Sequence, residues 1–212
     1  MAQPKPGAGT PYMLLGSTPD WKNPQYLLAG NSRQQRAYVV LQELGIWSVL
    51  NEFDPVLAGT VPLAIDLPDS DLDIICEVRP EAQGQFRALL EQHYGRLPEY
   101  ALRQHLVGGQ ESIVCGFRAA GVAVEVFGQN LPTARQNAVR HLVIEHAILA
   151  AGGEAWRVAV KQLKQQGIKT EPAFAQLLGL TGNPYEALLE VESWSAAALR
   201  ERLMRCSLLP NE

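Results

Sequence analysis

The feature that most constrains this chain is the placement of acidic residues inside segments that otherwise look like buried strands. Residues 70–78 are rich in β-forming residues and predict a strand that carries Asp71 and Asp73. A second predicted strand, residues 122–127, carries Glu125 among valines. Side chains alternate between the two faces of a strand, so Asp71 and Asp73 share one face while their apolar neighbours face the core. Acids are uncommon in strands, and two such departures favour a functional site.

The chemistry of these acids narrows what the site can do. Two carboxylates on one face repel each other and need solvent, a basic partner or a divalent cation nearby. Hard oxygen ligands in this arrangement suit Mg²⁺ or Mn²⁺. A plainer interpretation stays open, in which Ser70 and Asp71 form a turn and Asp73 begins an exposed strand.

Hydrophobic periodicity and turn residues predict an α+β fold. A helix starts at Ser32 as N-cap and ends near Gly45, and a strand covers 55–58. Residues 81–93 predict a helix, and strands at 112–118 and 122–127 predict an antiparallel hairpin. After Pro132 the pattern is helical throughout, with predicted helices at 133–151, 154–166, 171–179, 184–191 and 195–205.

These elements divide the chain into three parts. Residues 1–25 are rich in Pro and Gly and predict a loose N-terminal arm. Residues 26–131 form the predicted α/β core, a mixed sheet with flanking helices. Residues 132–212 form a helical C-terminal subdomain.

Composition excludes several classes of protein. The chain has 212 residues and a net charge of −4, so we do not expect the basic surface that duplex nucleic acid requires. No apolar run reaches the roughly 20 residues that span a bilayer, and the 3 cysteines are too few and too scattered for a disulfide framework. We therefore expect a cytoplasmic protein with no membrane partner. Its oligomeric state is left open.

The acids belong to a wider pattern. Ala58-Gly59-Thr60 is followed after about ten residues by Asp71-Leu72-Asp73-Ile74, and later by a strand with one acid. This pattern resembles that of the nucleotidyltransferase superfamily, which includes the polymerase-beta-like enzymes. The runs around Gly30, Gly59, Ser70 and Lys169 are also similar to an uncharacterised bacterial domain family within that fold, over residues 27 to about 190.

The resemblance implies a role for each motif residue. Asp71, Asp73 and Glu125 would be the catalytic and metal-binding residues, and Gly59, Thr60 and Ser70 would bind nucleotide. Thr60 stands where the superfamily usually has Gly or Ser. Pro62 suits the first turn of a helix capped by Thr60, which would point a helix N-terminus at a phosphate.

Candidate phosphate-binding cations lie in the helical third of the chain. Lys164 and Lys169 could neutralise phosphate charge, although either could equally be part of a solvated surface. His141 and Glu145, four residues apart, could face one another on one helix as a stabilising pair, or His141 could line a cleft.

The function implied by the resemblance is metal-dependent nucleotidyl transfer. The enzyme would use Mg²⁺ or Mn²⁺ to move a nucleoside monophosphate from an NTP, with ATP as the first candidate, to a hydroxyl group of an unknown acceptor. Two alternatives stay open: a non-catalytic nucleotide-binding or protein-interaction module on the same fold, and a metal-dependent phosphoester hydrolase that uses the same acids.

Overall fold

The computed structural model describes residues 19–206 and residue 208. Most of the predicted N-terminal arm, residues 1–18, lies outside the described residues. Trp21, in the remainder of that segment, is buried and packs edge-on against Tyr26 and His146, with ring centroids 5.4 Å and 5.2 Å away. Within the described residues, no helix is both long and apolar enough to cross a membrane.

A mixed sheet lies at the centre of the structure, as the sequence predicted, and it has five strands. Its strands are β1 (Val56–Ala58), β2 (Leu72–Glu77), β3 (Ala101–Val107), β4 (Gln110–Ala119) and β5 (Val122–Gln129). The order across the sheet is β1-β2-β5-β4-β3, in which β2 and β5 are parallel and the other pairs are antiparallel. The central parallel pair therefore joins two segments that are far apart in sequence.

Seven α-helices surround this sheet in the described part of the chain. They are α1 (Ser32–Glu43), α2 (Ile46–Val49), α3 (Gln83–Tyr94), α4 (Asn137–Gln165), α5 (Thr170–Leu178), α6 (Pro184–Leu189) and α7 (Ala196–Arg205).

Helix α1 begins one residue earlier than predicted. Asn31, not Ser32, is the N-cap, and its side chain accepts hydrogen bonds from the backbone N–H groups of Arg33 and Gln34. The Gln34 side chain accepts from the Asn31 N–H at 3.0 Å, which completes a capping box. This capping box therefore fixes the residue at which α1 begins.

The two faces of the sheet carry separate hydrophobic cores. On one face, α1, α2 and α3 pack against residues such as Leu72, Ile74 and Val126. On the other face, helices α4–α7 pack against residues such as Val56 and Ile75. Because β2 alternates between the faces, Asp73 lies on the side of helices α4–α7.

The two helices predicted at 133–151 and 154–166 correspond to α4, which is broken where the sequence placed the boundary. Gly153 has φ +69° and ψ −156°, a conformation outside the helical region. Helix α4 starts at Asn137 because residues Thr133–Arg135 form a 3₁₀ turn before it.

One strand was missed and one local prediction was wrong. The predicted hairpin is confirmed as β4 and β5, but strand β3 was not predicted, so the hairpin forms two strands of a three-stranded meander. No helix starts at Thr60, because the chain makes tight turns over the next four residues and reverses at Ala64, which has φ +57°. The N–H groups of Leu63 and Ile65 both donate to the Thr60 carbonyl, so no helix N-terminus points at the site from this segment.

Candidate functional site

Two acids lie side by side on the floor of the site. Asp73 on β2 is the direct partner of Glu125 on the parallel strand β5, and Ala58 of β1 is the partner of Asp73 on its other side. Paired residues on neighbouring strands project from the same face, about 4.8 Å apart along the sheet. The predicted convergence of Asp73 and Glu125 therefore agrees with the register of the sheet.

Asp71 lies outside the strand that was predicted to carry it. Strand β2 starts at Leu72, and Asp71 is exposed at the end of the preceding loop. Its charge still acts on both Asp73 and Glu125. The three acids thus form one electrostatic group, with Asp71 on its solvent side.

Gly59 allows the Asp73 side chain to occupy its position. The backbone of Gly59 has φ +74°, a conformation that favours glycine. A Cβ atom at this position would lie 2.1 Å from Asp73 Oδ2, closer than any real contact. Both the turn and the close approach of the carboxylate therefore require glycine here.

Helix α1 anchors the loop that joins Gly59 to Asp71. The Gln34 side chain donates to the carbonyls of Val61 and Pro62, each at 3.0 Å. Arg33 pairs with buried Asp66 at 2.7 Å and donates to the Ser70 carbonyl at 2.8 Å. Two residues of the first turn of α1 thus position the motif loop, residues 60–70.

The two hydroxyl groups of the motif lie within this loop. Ser70 Oγ accepts a hydrogen bond from the Leu67 N–H at 2.9 Å and another from Thr60 Oγ1 at 3.4 Å. This geometry places both side chains at the same rim of the site, next to Asp71.

Cations of helix α4 contact the loop from the other side. Lys164 Nζ donates to the Ile65 carbonyl at 3.0 Å, and Lys161 Nζ lies 3.5 Å from the Ala64 carbonyl. Arg157 donates to the carbonyl of Leu63. The motif loop is therefore held between α1 and α4.

A cavity of about 860 Å³ lies between the sheet floor and helices α4 and α5. The eight candidate residues taken from the sequence all line it: Gly59, Thr60, Ser70, Asp71, Asp73, Glu125, Lys164 and Lys169. Lys169, the N-cap residue of α5, reaches it from the helical side. The structure thus brings together residues that are separated by more than one hundred positions in sequence.

The electrostatics of the floor are unfavourable to several negative charges at once. Burial raises the pKa of Asp73 from 3.8 to about 7, and three neighbouring carboxylates add to the rise: Asp71, Glu125 and Glu171. Lys164 acts in the opposite direction. Burial and the charge of Asp71 also raise the pKa of Glu125. A cation bound at the floor would relieve this repulsion.

The donor chemistry fits a magnesium ion that is shared with a substrate. Within residues 19–206 and 208, no group of three or more His, Cys, Asp or Glu side chains is arranged to hold a metal by itself. Mg²⁺ is usually held by one or two carboxylates, and water and substrate phosphates complete its shell. Asp71 and Asp73 supply hard carboxylate oxygens of that kind beside an open cavity.

The helical wall, formed by α4 and α5, carries further polar residues of the site. His141 lines the cavity, which is one of the two alternatives that the sequence left open. It contacts Glu171 through Nδ1 at 3.5 Å and the Tyr185 carbonyl through Nε2 at 3.0 Å, and does not form the other alternative, a pair with Glu145. Burial would raise the pKa of Glu171, but its contact with His141 and its own backbone hydrogen bond lower it overall. Glu145 is only 3% exposed and also lines the cavity.

The sequence carried a signal for Glu145 but not for Glu171. Glu145 interrupts the apolar run from Leu142 to Ala151, as Asp73 interrupts its strand, whereas Glu171 followed the ordinary pattern of a first helical turn. The sequence therefore marked Glu145 as unusual and did not mark Glu171.

The sheet order, the acids on its two central strands and the glycine turn define the nucleotidyltransferase fold. The Cid1 poly(U) polymerase with bound MgGTP shares it, with a TM-score of 0.50 at 8% sequence identity over 78% of this chain and 53% of that chain. The polymerase core of TRAMP, an RNA surveillance complex, has a TM-score of 0.47 at 14% identity over 85% of this chain and 59% of that one. The GLD-2/RNP-8 complex has 0.47 at 13% identity, over 74% and 63%. The chain spans about half the length of the first of these structures.

Within this fold, the chain belongs to the family described as "Domain of unknown function (DUF4269)", which matches residues 39–191. The predicted relationship to polymerase-beta-like nucleotidyltransferases is confirmed at the level of the fold. No curated protein matches the sequence.

Proposed function

We propose that this protein is a metal-dependent nucleotidyltransferase that moves a nucleoside monophosphate from an NTP to a hydroxyl group of an acceptor. The proposal rests on one observation: Asp73 and Glu125 are register partners on the floor of a cavity whose rim carries Gly59 and Asp71. The Cid1 poly(U) polymerase, which shares the fold, was crystallised with MgGTP, and this supports a nucleotide as the ligand.

The candidate residues have distinct roles in this proposal. Asp71 and Asp73 hold Mg²⁺ or Mn²⁺, which when bound offsets negative charge on the phosphate oxygens. The Ser70 hydroxyl, which only accepts hydrogen bonds within the loop, donates to a phosphate oxygen at the rim, and Thr60 orients it by donating to Ser70 Oγ. Lys164 and Lys169 neutralise triphosphate charge from the opposite wall.

The transfer step is an in-line displacement. The acceptor oxygen forms a bond to the α-phosphorus, and the bond from that phosphorus to the bridging oxygen breaks, so pyrophosphate leaves with the electron pair. Glu125 takes the proton of the acceptor hydroxyl, a role that suits a carboxylate whose pKa is raised by burial. Because phosphoryl-group chemistry consists mostly of positioning and charge compensation, few other groups are needed.

Ligand-dependent stabilisation tests the proposal directly. Each of the four NTPs, with ATP first, is added with Mg²⁺ or Mn²⁺, and the melting temperature is measured. A nucleotide at a hundred times its Kd should raise Tm by roughly 5–10 °C. The double variant Asp71→Asn with Asp73→Asn should lose this shift, whereas Glu91→Gln, an exposed acid on α3, should keep it. No shift with any NTP, or a shift that the double variant retains, would contradict the proposal.

The same samples separate the alternative functions. Pyrophosphate release that depends on an added hydroxyl acceptor supports nucleotidyl transfer. Stabilisation by an NTP without pyrophosphate release under any acceptor condition indicates a nucleotide-binding module instead. Steady release of phosphate or nucleotide without an acceptor indicates hydrolysis.

A further inference from the structure

The helical wall of the cavity contains a carboxyl group that lacks a hydrogen-bond partner. Glu145 lies in the middle of the first half of α4, is 3% exposed, and lines the cavity. Its Oε1 atom is buried and makes no hydrogen bond. A buried polar atom without a partner costs free energy, so its presence calls for a specific reason.

The polar neighbours of Glu145 are engaged elsewhere. His141, one helical turn before it, directs its ring nitrogens to the Tyr185 carbonyl and to Glu171. Lys164 donates to the Ile65 carbonyl. Neither side chain donates a hydrogen bond to Glu145 Oε1, so a ligand in the cavity can supply the partner that this atom lacks.

The burial of Glu145 determines what kind of ligand fits. Burial and the charge of Glu171 raise its pKa well above the ordinary range, and Lys164 opposes this only in part. A raised pKa favours the protonated form of the side chain, a neutral carboxylic acid with an O–H donor and a C=O acceptor side by side. Its complement is a flat group that presents an acceptor next to a donor. Nucleobases carry such edges; adenine, for example, presents the N7 acceptor beside the N6 amino donor.

Asp73 and Glu145 line the same cavity and share two charged neighbours. Lys164 and Glu171 each act on the pKa of both acids. A triphosphate at Asp73, neutralised by Lys164, would leave the rest of the nucleotide in the part of the same cavity that Glu145 lines.

We propose that Glu145 reads the nucleobase of the substrate nucleotide by forming a paired donor and acceptor contact with the edge of the base. This inference rests on the proposed function, because it assumes that the triphosphate occupies the Asp73 end. The competing ligand is a cation such as an amine, which would require Glu145 as a charged carboxylate.

Two substitutions of Glu145 distinguish these ligands. Glu145→Gln keeps an adjacent donor and acceptor but cannot carry a charge, whereas Glu145→Leu removes both and keeps a similar volume. The matched controls are Glu91→Gln and Glu91→Leu on α3, an exposed position on the other face of the sheet. Folding of each variant is checked by circular dichroism, and Leu at a buried, unpartnered position is not expected to prevent folding.

Binding is measured with two probes in the presence of Mn²⁺: each NTP, and inorganic tripolyphosphate, which has no base. We expect Glu145→Leu to weaken binding of the preferred NTP roughly tenfold and Glu145→Gln to stay within about threefold of the unchanged protein. Tripolyphosphate should bind all variants equally.

Three results would overturn the inference while leaving the proposed function intact. The first is NTP binding that is unchanged in Glu145→Leu. The second is an equal loss of NTP binding in Glu145→Gln and Glu145→Leu, which indicates a cation site. The third is an equal loss of NTP and tripolyphosphate binding, which places Glu145 at the phosphates. An unchanged protein that binds neither probe contradicts the proposed function and this inference together.

Discussion

At the scale of single residues, the main feature of the site is the electrostatic repulsion between carboxylates that lie together on a sheet. This repulsion is most evident at Asp73, whose pKa is raised by burial and by three other acids. Gly59 leaves room for the Asp73 carboxylate, and the positive charge of Lys164 partly offsets the repulsion between the acids. Stability is sacrificed at this position, which is common at functional sites.

The raised pKa of Asp73 gives a pH dependence whose sign can be worked out. The folded-state pKa of about 7 lies above the ordinary value of 3.8, so the folded protein holds this proton more tightly than the unfolded chain. The free energy of unfolding therefore falls as pH rises from about 4 to about 7 through this group. Asp73→Asn removes that dependence, and above pH 7 the variant should be more stable than the unchanged protein. Urea unfolding in metal-free buffer between pH 4.5 and 8 measures both curves.

Asp69→Asn is the matched control for this experiment. Asp69 is exposed and lines the same cavity, but its charge does not contribute to the shifted pKa of Asp73. Its stability curve should run parallel to that of the unchanged protein. An Asp73→Asn curve that also runs parallel would mean that Asp73 is not the titrating group.

The acids of the two strands could be taken from the sequence because they break local rules, whereas the roles of Gly59, Thr60 and Ser70 followed from the family resemblance. Asp73 and Glu125 stand inside apolar strands, and the structure pairs them directly. The position of Asp71 was less well predicted, since the exposed loop continues up to Leu72. The contact of His141 with Glu171 could not be predicted, because it depends on how α5 packs against α4.

At the scale of elements, prediction succeeded where one face is clearly buried. Strands β2 and β5 alternate or run apolar, so their positions were evident. Strand β3 lies at the sheet edge, and five of its seven residues are exposed, so it carries no hydrophobic pattern. The helix expected after Thr60 failed because Gln34 and the cations of α4 bind the carbonyls of that segment, which only the tertiary structure reveals.

The break in α4 depends on one glycine. Gly153 has φ +69° and ψ −156°, a combination that is essentially restricted to glycine, and a Cβ atom there would meet no atom within 4 Å. Gly153→Ala should therefore lower the free energy of unfolding by about 1–3 kcal/mol through backbone strain alone. Denaturation in urea measures the change.

Gly84→Ala provides the comparison, because Gly84 lies in α3, also meets no atom within 4 Å, and has no positive φ. This variant should be more stable by up to about 1 kcal/mol, as expected for alanine in a helix. Equal stability of the two variants would show that residues 137–165 form one continuous helix in solution.

At the scale of the whole molecule, one sheet supports both hydrophobic cores. The helices α4–α7 have no core of their own apart from the sheet, since their cluster includes Val56, Ala58 and Ile75 of β1 and β2. The cavity lies where this helical layer meets the sheet, so the site needs both layers. The division at residue 131 that the sequence predicted stays a prediction, and unfolding can test it.

Because the sheet belongs to both cores, we expect the two layers to unfold together. Trp47 packs against the core on the α1–α3 side, and Trp156 is buried in the core on the α4–α7 side. Two variants that each retain one of these tryptophans, with the other three replaced by Phe, report on one layer each. Within each variant, the unfolding curves measured by fluorescence and by circular dichroism should coincide, as for a two-state domain. Each variant's free energy of unfolding is first compared by circular dichroism, since the substitutions themselves alter stability. A fluorescence midpoint that differs from the circular dichroism midpoint of the same variant would show that the helical layer is an independent domain. A site built between the layers would then assemble only when the two layers dock.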